Sequence, residues 1–281
     1  MGDGALGRMD QEEVYVRAQN LTISLPYEGC GKNCPFCVSR MTGGVPNDIW
    51  LMRRNADKVV RLARQAQVSS VLFTGKGEPL QSTLALTHLA PFFREFPMEI
   101  QTNGELLTEA MLDTLLFLRF NTIALSLNSL GEYEAQKDKI ERISNVRMVA
   151  RLTFNLTDML DIKTIEELVI LCRQTHASQL LLRNITVPTG TDPRNETAKW
   201  IAGHTNPKRY EKMTKAFLRK KPRKIRQLAH GDSVYEMDGV SVCMNEYCVQ
   251  DTAGEEDIRS LIFQEDGHVY TAWNSPASIL F

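Results

Sequence analysis

This chain has almost no surplus of charge. Lys and Arg number 33 against 34 Asp and Glu, a formal net charge of -1. No global field therefore draws it to nucleic acid or to an anionic membrane. Long apolar runs are missing too: nothing approaches the ~18 consecutive apolar residues of a membrane span. The N-terminal stretch MGDGALGRMDQEE is polar and acidic, without the apolar segment of a signal peptide. These absences predict a cytoplasmic protein. Internal repeats and low-complexity tracts are absent as well. Cysteine is limited to 6 residues in 281. In a reducing compartment these are expected as ligands or core residues rather than disulfides. The length suffices for one large domain with an appendage and a sizeable core.

What is present is an alternation of short β-branched runs with longer helical patterns. Strands are expected at 21–25, 69–75, 98–104, 121–128, 145–156 and 178–188. Helices are expected at 55–67, 82–96, 108–120, 131–143 and 163–176, with Pro91 kinking or dividing the second. Strands that alternate with helices pair in parallel through right-handed crossovers. Strand cores apolar on both faces suit a sheet covered by helices. Six such units fit a partial barrel or an open parallel sheet. After Pro188 the pattern changes. Residues 189–207 read as loop and 209–221 as a basic helix. Residues 234–244 and 260–273 read as hairpins turned at Asp238–Gly239 and Asp266–Gly267. The chain thus divides into an N-terminal extension (1–19), a core (20–188) and a C-terminal region (189–281).

The sharpest chemical signal is Cys30-Gly-Lys-Asn-Cys34-Pro-Phe-Cys37, on the loop after the first strand. Thiolates are the soft ligands of iron–sulfur clusters. Three of them on one tight loop reach three corners of a cubane and leave one iron open to an exogenous chelate. A structural zinc usually needs four ligands, and no fourth Cys or His lies nearby in sequence.

With this C-x3-C-x2-C spacing the chain resembles the radical S-adenosylmethionine (radical SAM) superfamily. Later strand ends extend the resemblance. Thr74-Gly75-Lys76-Gly77-Glu78-Pro79 is similar to the superfamily's Gly-Gly-Glu segment, with Lys76 intervening between Gly75 and Gly77. Gln101-Thr102-Asn103-Gly104 and Ser126-Leu127-Asn128 end the next two strands. The resemblance covers residues 20–188. It implies an α/β fold, a partial (β/α)6 TIM-like barrel with a small C-terminal α+β cap. It also implies a [4Fe–4S] cluster on Cys30, Cys34 and Cys37 that binds S-adenosylmethionine. The reduced cluster would cleave that cofactor to a 5′-deoxyadenosyl radical, which takes hydrogen from a substrate.

On this reading Gly75 and Gly77 let backbone approach the cofactor, and Glu78 accepts the methionine ammonium. Asn103 closes the third strand, Ser126 and Asn128 face the ribose, and Arg151 pairs with the methionine carboxylate. Ile185 and Val187 pack on adenine. Phe36 shields the cluster, adjoins adenine or simply packs. Expected partners are a small-molecule or nucleotide-like substrate and a one-electron donor such as flavodoxin or ferredoxin. The alternatives are modification of a peptide or tRNA, and a metal-binding regulatory module without catalysis.

The C-terminal third is less explicit. Cys243 and Cys248 are too few for a typical second cluster and are open to reading as buried thiols or a substrate-handling pair. Cys172, amid Val169, Ile170 and Leu171, reads as core. The basic run from Arg219 to Arg226 reads as a solvated helix end and linker, or as a phosphate contact. Tyr235, Asn245, Tyr270 and Trp273 are expected to line a substrate pocket.

Overall fold

A computed structural model describes residues 17–188, 190–228, 232–245, 257–273 and 275–281. The alternation expected from the sequence is present: β1 (Arg17–Leu25), α1 (Ile49–Gln65), β2 (Ser70–Gly75), α2 (Thr83–Leu89), β3 (Met98–Thr102), α3 (Glu109–Phe117), β4 (Thr122–Leu127), α4 (Leu130–Asn145), β5 (Val149–Leu156), α5 (Ile165–Gln174) and β6 (Gln179–Asn184). Neighbouring strands from β1 to β6 pair in parallel, in sequence order.

Local chemistry sets the helix ends. Asp48, Thr108, Ser129 and Thr164 each accept a hydrogen bond from the amide three residues on, capping α1, α3, α4 and α5. The Asp48 cap starts α1 six residues before the expected position 55. Pro91 divides its segment as expected: α2 stops at Leu89 and a 3-10 turn, Ala90–Phe93, follows. On α1 the buried residues Met52, Ala56, Val59, Val60 and Ala63 keep one face on the sheet. Phe73 on β2 meets Phe93 and Phe120 edge to face, at 6.1 and 5.1 Å between ring centroids.

Two expectations for the C-terminal third are corrected. The segment 189–207, read as loop, contains α6 (Glu196–His204), capped by Asn195. After α7 (Pro207–Arg219), part of the basic run forms β7 (Arg223–Gln227), an exposed edge strand. Charged side chains on such an edge discourage pairing with another chain.

The strands of the C-terminal cap also join the barrel sheet. β8 (Ser233–Met237) and β9 (Val240–Asn245) form the expected hairpin, with positive φ at Asp238 and Gly239. β10 (Asp257–Phe263) and β11 (Val269–Tyr270) form the other. Yet β9 lies parallel to β6, and β10 lies parallel to β1. The described strands make one sheet, ordered β11-β10-β1-β2-β3-β4-β5-β6-β9-β8-β7. The C-terminal segment therefore extends the barrel sheet at both edges and is not a body apart. The reason is physical: unpaired outer edges of β1 and β6 would leave backbone groups unsatisfied. Val240, Val242, Leu261 and Phe263 join the same apolar core as the strands before Pro188. Among the described residues no ladder joins β9 to β10, so the sheet curls without closing.

This continuity predicts one cooperative unit. Phe263, fully buried opposite Ile23, should cost about 3–5 kcal/mol when changed to Ala. In urea unfolding of Phe263→Ala, tryptophan fluorescence and far-ultraviolet dichroism should shift together as one transition. Two separate transitions, with the main one unmoved, would mean that β10 belongs to an independent unit.

Candidate active site

β1 delivers the chain to the C-terminal edge of the sheet, where parallel α/β folds place their ligand sites. Between Leu25 and Asp48 there is little regular structure, only a 3-10 turn at Val38–Arg40. The loop is instead held by neighbouring strand ends. The Glu78 amide donates to the Gly29 carbonyl at 2.8 Å. Gly29 has φ +116°, and a Cβ on Gly77 would fall 2.3 Å from the Gly29 oxygen. Glycine at both positions is what lets these backbones touch. The Ser39 hydroxyl donates to the Lys76 carbonyl at 2.7 Å. Lys76, the residue intervening in the glycine–glutamate turn, donates from Nζ to the Gly43 carbonyl and pairs with buried Glu265 at 3.6 Å. It ties the far end of the loop to the turn after β10.

Cys30 is exposed on this loop, and Cys34 and Cys37 are half-buried. Two amides approach the sulfurs. Asn103 Nδ2 lies 3.7 Å from Cys30 Sγ, and Asn128 Nδ2 lies 3.7 Å from Cys34 Sγ. Asn128 is oriented in turn: its amide oxygen accepts from Asn155 at 2.8 Å, and its backbone N–H donates to Glu132 at 2.9 Å. Glu132 also holds Lys32 at 2.8 Å. Burial pushes the Cys34 thiol above its ordinary value. Lys32 pulls it down, and Cys37, Glu132 and Cys30 add to the rise. The sequence reading missed Lys32, Glu132 and Asn155. A signal for Glu132 was present: Ser129-Leu-Gly-Glu132 has the spacing of a capping box.

Glu78 is buried, and its carboxylate accepts three hydrogen bonds from the chain itself. Thr102 Oγ1 donates at 2.5 Å, the Asn103 amide at 2.8 Å and the Leu80 amide at 3.1 Å. Burial pushes its carboxyl up, and these bonds oppose the rise. Its evident work is to lock the ends of β2 and β3 together beneath the cysteine loop. Ser126 is half-buried beside Thr153 in the β4–β5 ladder. Phe36 and Ile185 do come together: with Ile201 they form a small buried cluster beside Cys34, Met41 and Trp200. Ile185 and Val187 follow β6 rather than lying in it, and Val187 is exposed. Trp200, also missed from sequence, sits 5.5 Å from Phe36 and stacks on His204 at 4.2 Å. His204 in turn lies 2.6 Å from an Asp158 oxygen.

Arg151 departs from its expected role. It lies near the start of β5, bonded to Glu99 at 2.6 Å and to Gln179 at 2.8 Å. Its guanidinium is already neutralised deep in the barrel, away from the strand ends. Of the four residues expected to line a pocket in the C-terminal third, two line a cavity. Asn245 and Trp273 line the cavity described next. Tyr235 packs edge to face on Phe217, and buried Tyr270 donates to Asp266 at 2.7 Å. Cys248 and residues 246–256 lie outside the described residues, as does Asn274.

Inside the curled sheet is a cavity of about 760 Å3. It runs from Val38 and Ser39 on the cysteine loop, past Thr22, Gln101 and Arg151, to Cys243 on β9. Ser24, Thr153 and Asn155, on β1 and β5, each keep a buried side-chain oxygen without a partner. A polar guest would satisfy such atoms. Among the described residues no three His, Cys, Asp or Glu side chains converge as a single metal ion requires. A cubane takes its thiolates at separate corners and spreads them further apart. Soft donors on one loop, amides on two sulfurs and orphaned polar atoms nearby fit a cluster with a polar cofactor.

The sequence model of the Radical SAM superfamily matches residues 24–177, more than half of the chain. The chain belongs to that superfamily, whose members are enzymes that use a [4Fe–4S] cluster and S-adenosylmethionine. Solved structures of SuiB from Streptococcus suis are similar in fold. The one bound to precursor peptide SuiA aligns with a TM-score of 0.62 at 16% identity, covering 91% of this chain and 60% of that one. The one bound to S-adenosylmethionine aligns with a TM-score of 0.59 at the same identity and coverage. This chain thus spans about 60% of the length of those structures. No curated protein matches it. No helix among the described residues is long and apolar enough to cross a membrane.

The Glu78 geometry gives a test independent of any cofactor. In Glu78→Gln an amide N–H2 must face one of the N–H or O–H donors now satisfied. The cofactor-free protein should lose about 1–3 kcal/mol of stability, read by denaturant unfolding. Unchanged stability would show that the three hydrogen bonds do not lock the strand ends.

Proposed function

We propose that Cys30, Cys34 and Cys37 hold one [4Fe–4S] cluster and that the cavity beneath them receives S-adenosylmethionine and a small-molecule or nucleotide-like substrate. The observation that carries this is the pair of amides, Asn103 and Asn128, each 3.7 Å from the sulfur of Cys30 or Cys34, on a loop whose Val38 and Ser39 line the barrel cavity. When bound, the cluster and S-adenosylmethionine supply a carbon radical that abstracts hydrogen from the substrate.

The chain's own residues do the rest. Gly29 and Gly77 fix the loop, and Glu78 and Lys76 position its two ends. Amide donors near a thiolate sulfur stabilise its negative charge and tune a cluster's potential. Ser126, Thr153 and Asn155 offer hydroxyl and amide groups at adjoining strand ends, suited to a ribose. Phe36, Ile185, Ile201 and Trp200 form an apolar wall that keeps water from the Cys34 side. Exposed Cys30 leaves one flank of the loop open to a one-electron donor such as flavodoxin or ferredoxin. Modification of a peptide rests only on the likeness in fold to SuiB, and a cavity of about 760 Å3 suits a small substrate.

The test is anaerobic incubation with S-adenosylmethionine and dithionite. The wild type should form 5′-deoxyadenosine and hold about four irons per chain. The variant with Cys30, Cys34 and Cys37 all changed to Ala should do neither. Retention of about four irons in that variant would move the ligands elsewhere.

Trp200 lies beyond Pro188 yet leans on the cysteine loop, so the C-terminal region contributes to the cofactor site on this reading. Trp200→Ala removes an aromatic partner worth about 0.5–1.5 kcal/mol beyond burial. Substrate-free cleavage of S-adenosylmethionine should fall up to about tenfold, with iron content retained. Cleavage at the wild-type rate would confine the cofactor site to residues 20–188.

A further inference from the structure

The cavity's lining is cationic in a way that the chain's net charge of -1 does not anticipate. Its lining includes Lys76, Arg151, Arg183, Arg226 and Arg259 against Glu99 and Asp232. Two of the cations are accounted for: Arg151 pairs with Glu99, and Lys76 with Glu265. Arg183 comes from the end of β6, Arg226 from the edge strand β7 and Arg259 from β10. They are far apart in sequence and line one cavity only because the C-terminal strands extend the sheet beyond β6 and β1. Cys243 of β9 lies among them. Burial pushes its thiol up to about 11 and Asp232 adds to the rise, while Arg151, Arg226 and Arg259 draw it down. Among the described residues no carboxylate lies within ion-pair distance of Arg183, Arg226 or Arg259.

Arg183 and Arg259 are half-buried, and arginines in that position without carboxylate partners are costly unless something anionic joins them, while exposed Arg226 adds its charge at the rim. The planar guanidinium fork matches the paired oxygens of phosphate and carboxylate alike. The cavity's volume lies within the range of small-ligand sites, roughly 300–1,000 Å3. We propose that the substrate is a small molecule bearing phosphate or carboxylate groups, held in this cavity by Arg183, Arg226 and Arg259. This deepens the proposed function by naming the substrate class of the same cavity.

Cys243 supplies a reporter of the local field. The experiment uses the cluster-loaded protein with saturating S-adenosylmethionine, so that the cofactor's own carboxylate is not the probe. It is treated with an anionic sulfonatoethyl or a cationic trimethylammonioethyl methanethiosulfonate, and labelling of Cys243 is followed by peptide mass spectrometry. The anionic reagent should react at least about tenfold faster, as expected for a focused positive field. Arg226→Gln, on an exposed edge strand, should reduce that preference, and the triple Arg→Gln variant should abolish it. Equilibrium dialysis with inorganic diphosphate and with citrate then separates the two sources. Diphosphate alone binding indicates a phosphorylated substrate, and citrate alone a carboxylated one. Retention of neither anion, or equal or faster labelling by the cationic reagent, overturns the proposal. Formation of 5′-deoxyadenosine, measured on the same samples, reports separately on the radical chemistry, so either reading can fail alone.

Discussion

Gly77 has no room for a side chain, because a Cβ there would meet the Gly29 carbonyl oxygen at 2.3 Å. The rest of the site hangs on that contact. The cysteine loop has almost no secondary structure to fix it. Its position is set where the backbone after β2 presses against it and the Glu78 amide bonds the same carbonyl. Glu78 then carries the constraint to β3 through Thr102 and Asn103, and Asn103 returns it to Cys30. The chain of contacts is short and mostly buried. A displacement of any member therefore moves a thiol.

The barrel interior is the second organising fact. Parallel barrel cores are usually filled by apolar branched side chains. Here Thr22, Glu99, Gln101, Arg151, Thr153 and Asn155 turn polar groups inward, at a cost in desolvation. Part of that cost is met internally by the bonds of Arg151 to Glu99 and Gln179. Part is left open at Ser24, Thr153 and Asn155, whose orphaned oxygens lie on β1 and β5. Outer helices and strands compensate with an extensive apolar layer, to which β9 and β10 contribute as fully as the strands before Pro188.

Much of the N-terminal two thirds was legible, because local rules decide it. Alternating β-branched runs and helical periods mark the first six strands and five helices, and Pro91 ended α2 where its ring forbids a continued ladder. The cysteine loop was legible for another reason: three thiols within eight positions are a chemical pattern before they are a structural one. Arg151 was misread because a strand position does not reveal depth. Its place early in β5 puts it with Glu99 instead of at the strand ends. The segment 189–207 was misread because nine residues of α6 are held largely by Asn195 and by contact of Trp200 and Ile201 with the cysteine loop. Such a helix owes more to tertiary packing than to propensity.

By itself the amino-acid sequence determined the strand–helix alternation, the turn chemistry of both C-terminal hairpins and the three thiols on the first loop. Each of these depends on residues within a few positions of one another. Only the tertiary structure decided that β9 and β10 would complete the sheet at opposite edges. Only it placed Trp200 beside Phe36 and gathered Arg183, Arg226, Arg259 and Cys243 around one cavity. Those relations join residues dozens or hundreds of positions apart. Their geometry follows from which sheet edge needed hydrogen-bond partners and which face needed covering, and a linear pattern carries no record of either.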